Sequence, residues 1–446
     1  MLITTPMWRR HSCLLRRDLS RRCADIDMSV DAARNSACAK SASSTESVPY
    51  LFFNHGPQLQ RIVGHASCID WLYNETRARV RAPHFMTRRE LLLLPGVCSI
   101  FGQELASSEP PVLSTSEALN FTFPLEGNTG SVTPADRFFV RDHFREPELS
   151  LSSWRLKIEG RVERPLELTL SDILESPTQV LEAVLECAGS PPDGSAASNA
   201  VWGGVPLARL LEQAGVAREA RAVLLEGADS GRLMKNSPEL PYCQVVALEK
   251  CMQPESLLAF RLNGQFLPRR SGFPARALFP GWYGMDSVKW LRRMVVLGID
   301  DTAPNFESSG MSKLYNRLIK RPSGEVDVTR LTNVSVKSAI AWPADHSKLL
   351  AGRQVIRGFA WTGSGIVRRV DVSADAGGSW TPAELEVPPK RFTWVRWKYL
   401  WSAAPGDHVL MSRATDDAGS QPIKRDPARK DGYEMNYCLP VHCTVR

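Results

Sequence analysis

From about Asn333 onward the chain is dominated by period-two alternation. Val395, Trp397, Tyr399 and Trp401 fall on one side of a single run, with Arg396 and Lys398 on the other. Side chains alternate across a β-strand, so this order suits a strand with one buried face. Val355–Trp361 and Val370–Ala374 alternate in the same way. Between such runs stand Gly363-Ser364-Gly365, Ala376-Gly377-Gly378, Pro405-Gly406-Asp407 and Ala418-Gly419-Ser420, all turn chemistry. Short strands separated regularly by turns predict an antiparallel β-sandwich of immunoglobulin-like type over residues 326–446. Trp394, Trp397 and Trp401 are then expected to be buried, in the sandwich core or against a partner. Cys438 and Cys443 lie close enough in sequence to bridge in an oxidising compartment, and equally to stay free thiols.

The preceding stretch, residues 111–325, mixes periods and predicts an α+β domain. Pro110–Pro134 is rich in Pro, Ser, Thr and Asn and reads as an extended arm. Trp154–Gly160 and Leu166–Leu170 alternate like strands, with Ser171-Asp172 as the cap of a short helix. Trp202-Gly203-Gly204-Val205-Pro206 opens a second helix, whose Leu207, Leu210, Leu211 and Ala214 repeat at helical spacing until Gly215 stops it. Leu224–Asp229 is a strand with a polar tip, and Asn263-Gly264 marks a hairpin.

The beginning does not match the rest. Residues 1–85 carry paired arginines and no sustained period. They are followed by Met86-Thr87-Arg88-Arg89, a mostly apolar stretch interrupted by Pro95, and the small residues Ala106-Ser107-Ser108. Residues 86–110 therefore have the form of a twin-arginine export signal, which implies a periplasmic protein and makes residues 1–85 spurious upstream translation or a disordered leader. The apolar stretch is too short for a stable membrane span. A net charge of +7 with no lysine-arginine stripe and interleaved aromatics argues against nucleic acid. The ten cysteines form no CxxC pair, so neither a zinc site nor c-type heme is implied.

Candidate chemistry gathers in three places. The apolar run Val180–Leu185 leads into Glu186-Cys187-Ala188-Gly189, read as a buried strand entering a glycine turn with a lone thiol at its end. A thiolate is a nucleophile or soft-metal ligand, but an isolated cysteine beside a strand also serves as a small buried hydrophobe. Upstream, Arg137–His143 reads as a strand end that delivers Arg141 and His143 to one face, where a guanidinium suits phosphate or an oxyanion. Downstream, Gly272 and Pro274 set up a tight approach to Arg276. Gly281 and Gly284 let the backbone come close to a bulky ligand ahead of Ser287 and Lys289, so that Arg276 and Lys289 offer charge to an anion.

Taken in order, these motifs resemble the sulfite oxidase family of molybdopterin enzymes. The residues are Phe138-Phe139-Val140-Arg141 with His143; Glu186–Gly189; Trp202 with Gly204–Leu207 and Leu210-Leu211; Leu262–Gly264 with Leu267-Pro268, Gly272–Pro274 and Arg276; and Gly284 with Ser287–Leu291. The resemblance covers roughly residues 115–446. It implies a molybdopterin domain followed by a dimerisation sandwich, and hence a homodimer. It also implies a molybdenum–molybdopterin cofactor with Cys187 as a thiolate ligand of the metal. Arg141, His143, Asp229, Arg276, Ser287 and Lys289 would hold the pterin and its phosphate, and Tyr315 matches a catalytic tyrosine, with Arg141 also facing substrate.

The departures bear on substrate. Ser190, Pro191 and Pro192 stand where sulfite-oxidising members carry an asparagine and two arginines, and the loop from Cys187 to Trp202 is shorter. Ser271 replaces a histidine, and Leu314 replaces an acidic residue before Tyr315. The expected activity is oxygen-atom transfer, foremost oxidation of sulfite or a related sulfur oxyanion. With no heme or iron–sulfur motif in the chain, electrons pass to a separate carrier, a c-type cytochrome. Two other readings use the same residues: reduction of an S- or N-oxide, and a cofactor-free binding protein on the same scaffold.

Overall fold

The computed structural model describes residues 118–128, 130–233 and 238–446, so the expectations for residues 1–85 and 86–110 lie outside the described residues. The part that holds the cysteine is built on two five-stranded sheets. One runs Gln265–Phe266, Leu257–Leu262, Ala197–Pro206, Gln179–Glu186, with Arg276–Leu278 also paired to Leu257–Leu262. The other runs Leu166–Leu168, Leu156–Gly160, Leu291–Gly298, Ala220–Gly231, Leu240–Ala247, with one parallel pairing, between Leu156–Gly160 and Leu291–Gly298. The helix Leu207–Ala214 buries Leu207, Leu210, Leu211 and Ala214 in a core that takes residues from both sheets. Gly215 ends it at φ +71°, a left-handed position that favours glycine.

Three local expectations are corrected. Trp202–Pro206 does not open that helix; it completes the ten-residue strand Ala197–Pro206, whose pairing to Leu257–Leu262 satisfies its backbone. The cap of the helix Leu170–Glu175 is Thr169 rather than Ser171, although Asp172 does close a capping box with it. The strand predicted through His143 is only Val140–Arg141, paired to Asn120–Phe121. Past Arg141 the chain bends.

The C-terminal part is a β-sandwich. Its sheets are Lys337–Trp342, Gly352–Trp361, Val395–Ala403, Glu384–Leu385, and Ser347–Leu349, Val441–Val445, Gly406–Thr415, Arg369–Ser373, Thr381–Pro382. The hairpin Asn316–Lys320/Val326–Arg330 precedes it. Trp397 and Trp401 lie in the sandwich core, while Trp394 packs with Phe359 and Trp361 facing the cysteine domain. All three are buried within the chain itself, which leaves none of them for a partner surface. Burying an indole like that of Trp397, fully inaccessible here, contributes about 4–6 kcal/mol by area. Its Nε1 has no partner, which costs about 1–3 kcal/mol, so packing wins. Cys438 and Cys443 are buried free thiols.

Candidate active site

The cysteine strand Gln179–Glu186 pairs along its length with Ala197–Pro206, and the Cys187 amide continues the ladder to the Ala196 carbonyl at 3.0 Å. The chain then turns, with the Ser190 amide donating to the Cys187 carbonyl at 2.9 Å. From the other side the Gly284 amide donates to the Glu186 carbonyl at 2.7 Å. A Cβ on Gly284 would sit 3.2 Å from that oxygen, so a side chain there would push the two segments apart. This contact brings Ser287 and Lys289 round to face the thiol's cleft.

The thiol faces a cleft with a cavity volume of about 70 Å³. Arg141, His143, Cys187, Asp229, Arg276, Ser287, Lys289 and Tyr315 all line it. Asp142 lines it too. Three successive side chains from 141 to 143 reach one cavity, which a regular strand forbids and the bend after Arg141 allows.

The floor is a buried charge cluster. Lys289 forms an ion pair with Asp142, donates to the Arg270 carbonyl at 3.0 Å and lies 4.4 Å from the Trp290 ring centre. Arg276, itself buried, donates to the carbonyls of Ser271 at 3.0 Å and Ser287 at 2.7 Å. The expectation that these two cations offer free charge to an anion therefore changes: one is matched by a carboxylate and the other is tied to backbone. Burial pushes Arg276 down to about 10, still protonated at neutral pH. The Ser287 hydroxyl accepts the Phe279 amide at 3.1 Å. Asp142 and Asp229 each keep one buried carboxylate oxygen with no partner. Burial pushes Asp229 up to about 7 despite nearby Lys289.

The mouth is different. Arg141 is half-buried, with Nη1 donating to Asn120 Oδ1 at 2.7 Å. The Tyr315 hydroxyl and His143 Nε2 are hydrogen-bonded to one another. Burial drives His143 down to about 3, with Arg141 and Lys289 adding to the effect, and raises Tyr315 well above the usual phenol range. Both are neutral at pH 7. Burial also raises the Cys187 thiol, against the pull of Arg141.

Sequence reasoning missed several contributors. Asp142 sat between two chosen residues but had no visible partner until Lys289, far along the chain, met it. Tyr242 lines the cleft and donates to the Met285 carbonyl at 3.0 Å, from a strand without a motif. Tyr433 comes from the sandwich, and its ring lies 5.4 Å from that of Tyr315. Tyr315 needs that support, since it sits at φ +58°, a conformation uncommon for a bulky residue. Glu434 ties the same segment to the cysteine turn, its amide donating to the Ala188 carbonyl at 2.8 Å. Beneath that turn, Lys337 of the sandwich binds Glu186 at 2.6 Å and the Pro191 carbonyl at 3.2 Å, and Trp361 Nε1 donates to Glu186 at 2.7 Å. The sandwich thus does bring a cation under the loop, but Glu186 neutralises it. Pro192 is buried and does not line the cleft, so the cation lost there is not simply restored by a long side chain at that position.

The donor set fits a pterin with a metal at its end. Asp142 and Asp229 line the cavity, each keeps one buried carboxylate oxygen without a partner, and a pterin ring carries the N–H donors that they lack. A soft thiol stands at one end of the same cavity. Comparison with known proteins agrees. The oxidoreductase molybdopterin binding domain model matches residues 143–305, and the Mo-co oxidoreductase dimerisation domain model matches residues 329–426. Chicken (Gallus gallus) sulfite oxidase is 31% identical over 314 residues, 64% of this chain and 67% of that protein. Mitochondrial sulfite oxidase of Rattus norvegicus is 32% identical over 315 residues, 64% of this chain and 56% of that protein. The match to these relatives thus spans roughly half to two thirds of their length. Among solved structures, the sulfane dehydrogenase SoxCD from Paracoccus pantotrophus superposes with a TM-score of 0.64 at 30% identity, covering 76% of this chain and 86% of that chain. The chain belongs to the sulfite oxidase family of molybdopterin-dependent oxidoreductases.

Proposed function

We propose that this protein oxidises sulfite or a related sulfur oxyanion, with molybdenum held by a molybdopterin and by the Cys187 thiolate. The carrying observation is that Cys187, Arg141 and the Tyr315–His143 pair share one cleft with two unpaired buried carboxylate oxygens. When bound, the molybdenum–pterin group supplies two-electron oxygen-atom transfer. Asp142 and Asp229 would accept from the pterin ring, Arg276, Ser287 and Lys289 would flank it, and Cys187 would ligate the metal. A coordinated thiol is deprotonated outright, which overrides the effect of burial on Cys187. Arg141, the half-buried cation at the mouth, attracts and orients the anion. Tyr315 and His143 hold a proton between them without either being ionised in the neutral range, and Tyr433 and the hairpin that follows Tyr315 keep that ring facing the thiol's cavity.

One observation favours a second reading, reduction of an S- or N-oxide. Arg276, Lys289 and Lys337 are all committed to protein partners, which leaves Arg141 and Arg270, whose Nη2 makes two long contacts to the Ala135 and Asp136 carbonyls, to attract an anion and suits a weakly charged or neutral substrate. Turnover of molybdenum-loaded protein with sulfite, thiosulfate and sulfoxides decides between them. Sulfoxide reduction without any sulfur-oxyanion oxidation would overturn the first reading, and protein purified without molybdenum or pterin would leave only a binding role.

The remaining parts of the reading extend this assignment. Electrons pass to a separate c-type cytochrome, the chain works as a homodimer through its sandwich, and it reaches the periplasm by the twin-arginine route. The name of the matched dimerisation domain supports the homodimer. Among the described residues no helix is long and apolar enough to cross a membrane. A monomer by light scattering at micromolar concentration would remove the dimer. A mature protein beginning upstream of Met86 in its native host would remove the export signal.

A further inference from the structure

At the end of the sandwich, the turn after Lys337–Trp342 meets the last strand, Val441–Val445. Ser347–Leu349 pairs in parallel with Cys443–Val445, which sets His346 beside His442. Two hydrogen bonds fix the meeting: the His346 amide donates to the His442 carbonyl at 2.7 Å, and the His442 amide donates to Asp345 Oδ1 at 2.7 Å. The imidazoles lie nearly parallel, with centres 5.5 Å apart. Asp345 Oδ1 is 3.2 Å from His442 Nδ1, and Asp345 Oδ2 is 3.4 Å from His346 Nε2. Cys443 faces inward and is buried, as strand alternation requires, so it is not part of this group.

We propose that Asp345, His346 and His442 form a surface site for a divalent transition metal ion of the zinc class. One ligand atom from each residue lies within 4.8 Å of the others. Ligands bound at about 2.0–2.2 Å around a tetrahedral ion stand roughly 3.3 Å apart. The three donors therefore need at most about 1.5 Å of closure, which exposed side chains supply by rotation while the backbone stays as it is. Two imidazoles and one carboxylate select zinc-like ions over calcium or magnesium, which take oxygen ligands. Three protein donors leave a fourth position to water. The ion would tie the first turn of the sandwich to its final strand, so it acts as a clamp on the sandwich and takes no part in the cleft chemistry.

The test is zinc titration of the full-length, cofactor-loaded enzyme by calorimetry, after removal of adventitious metal. His346→Ala and His442→Ala, both at exposed positions, serve as variants. The wild type is expected to bind one zinc per chain saturably and to gain thermal stability from it, because a ligand that binds only the folded state stabilises it. Each variant should bind at least about tenfold more weakly, since losing even an outer partner of a metal ligand costs 10–100-fold. Cobalt in place of zinc should give visible ligand-field bands without a thiolate charge-transfer band, which separates this site from any cysteine site. Saturable binding that survives unchanged in both variants would overturn the proposal. So would a thiolate band, or the lack of saturable binding in the wild type.

Discussion

Replacing Lys337 by methionine removes one half of an ion pair that joins the two folded parts directly beneath the cysteine turn. The ammonium and the Glu186 carboxylate are 2.6 Å apart, with their side chains 2% and 1% exposed. Leaving a buried carboxylate without its cation costs about 3–5 kcal/mol, a large share of the roughly 5–15 kcal/mol that stabilises a typical domain. Glu186 would retain only the Trp361 indole, 2.7 Å from its other oxygen. Adding Glu186→Gln removes the stranded charge and keeps an acceptor for Trp361. The double variant is therefore expected to recover at least about 2 kcal/mol of the loss. Urea unfolding followed by tryptophan fluorescence measures all three proteins. A cost below about 1 kcal/mol for Lys337→Met, the range of a solvated surface pair, would refute the reasoning, as would a double variant no more stable than the single one.

Arg141→Met should lower kcat/KM for sulfite roughly 10–150-fold, the worth of a charge-assisted hydrogen bond of about 1.5–3 kcal/mol, while a neutral sulfoxide loses little; equal losses for both substrates would show that Arg141 acts by packing. In the wild type, sulfite turnover should weaken as salt rises, because a half-exposed cation is screened. Tyr433→Leu removes the ring that packs 5.4 Å from that of Tyr315, so kcat is expected to fall about 2–10-fold with cofactor content unchanged, and unchanged kcat would remove Tyr433 from the site's support. Asp229 bears on pH. Its folded-state value, pushed up to about 7 by burial, lies above the ordinary carboxylate value, so the folded chain binds the extra proton and this group's contribution to stability falls as pH rises from about 4 to 7. In cofactor-free protein Asp229→Asn should remove that decline, on the order of 2–4 kcal/mol; parallel stability curves for variant and wild type would contradict it.

Elements with a strong local signature were legible in the chain. The sandwich showed through its alternation and turns, the helix Leu207–Ala214 through its apolar spacing, and the hairpin through Asn263-Gly264, which takes positive φ at both residues. The eight candidate site residues were picked from separate motifs, and all of them line one cleft. What failed depended on distance along the chain. Trp202–Pro206 has the glycine and proline of a helix entry, yet pairing with Leu257–Leu262 draws it into a strand. The commitment of Lys289 to Asp142 spans 147 residues, so charge counted as free from sequence was already matched inside the fold. Tyr433 carries no motif, and only the docking of the sandwich brings it to Tyr315.

The central claim is that the Cys187 sulfur binds the metal of a molybdopterin in this cleft. X-ray absorption at the molybdenum edge, on purified wild type and Cys187→Ser, counts the sulfur atoms bound to the metal. The account predicts molybdenum in both proteins, one fewer Mo–S bond in Cys187→Ser, and turnover far below wild type, because a serine oxygen is a hard ligand in place of a soft thiolate. An unchanged sulfur count in Cys187→Ser, with activity within about threefold of wild type, would contradict it.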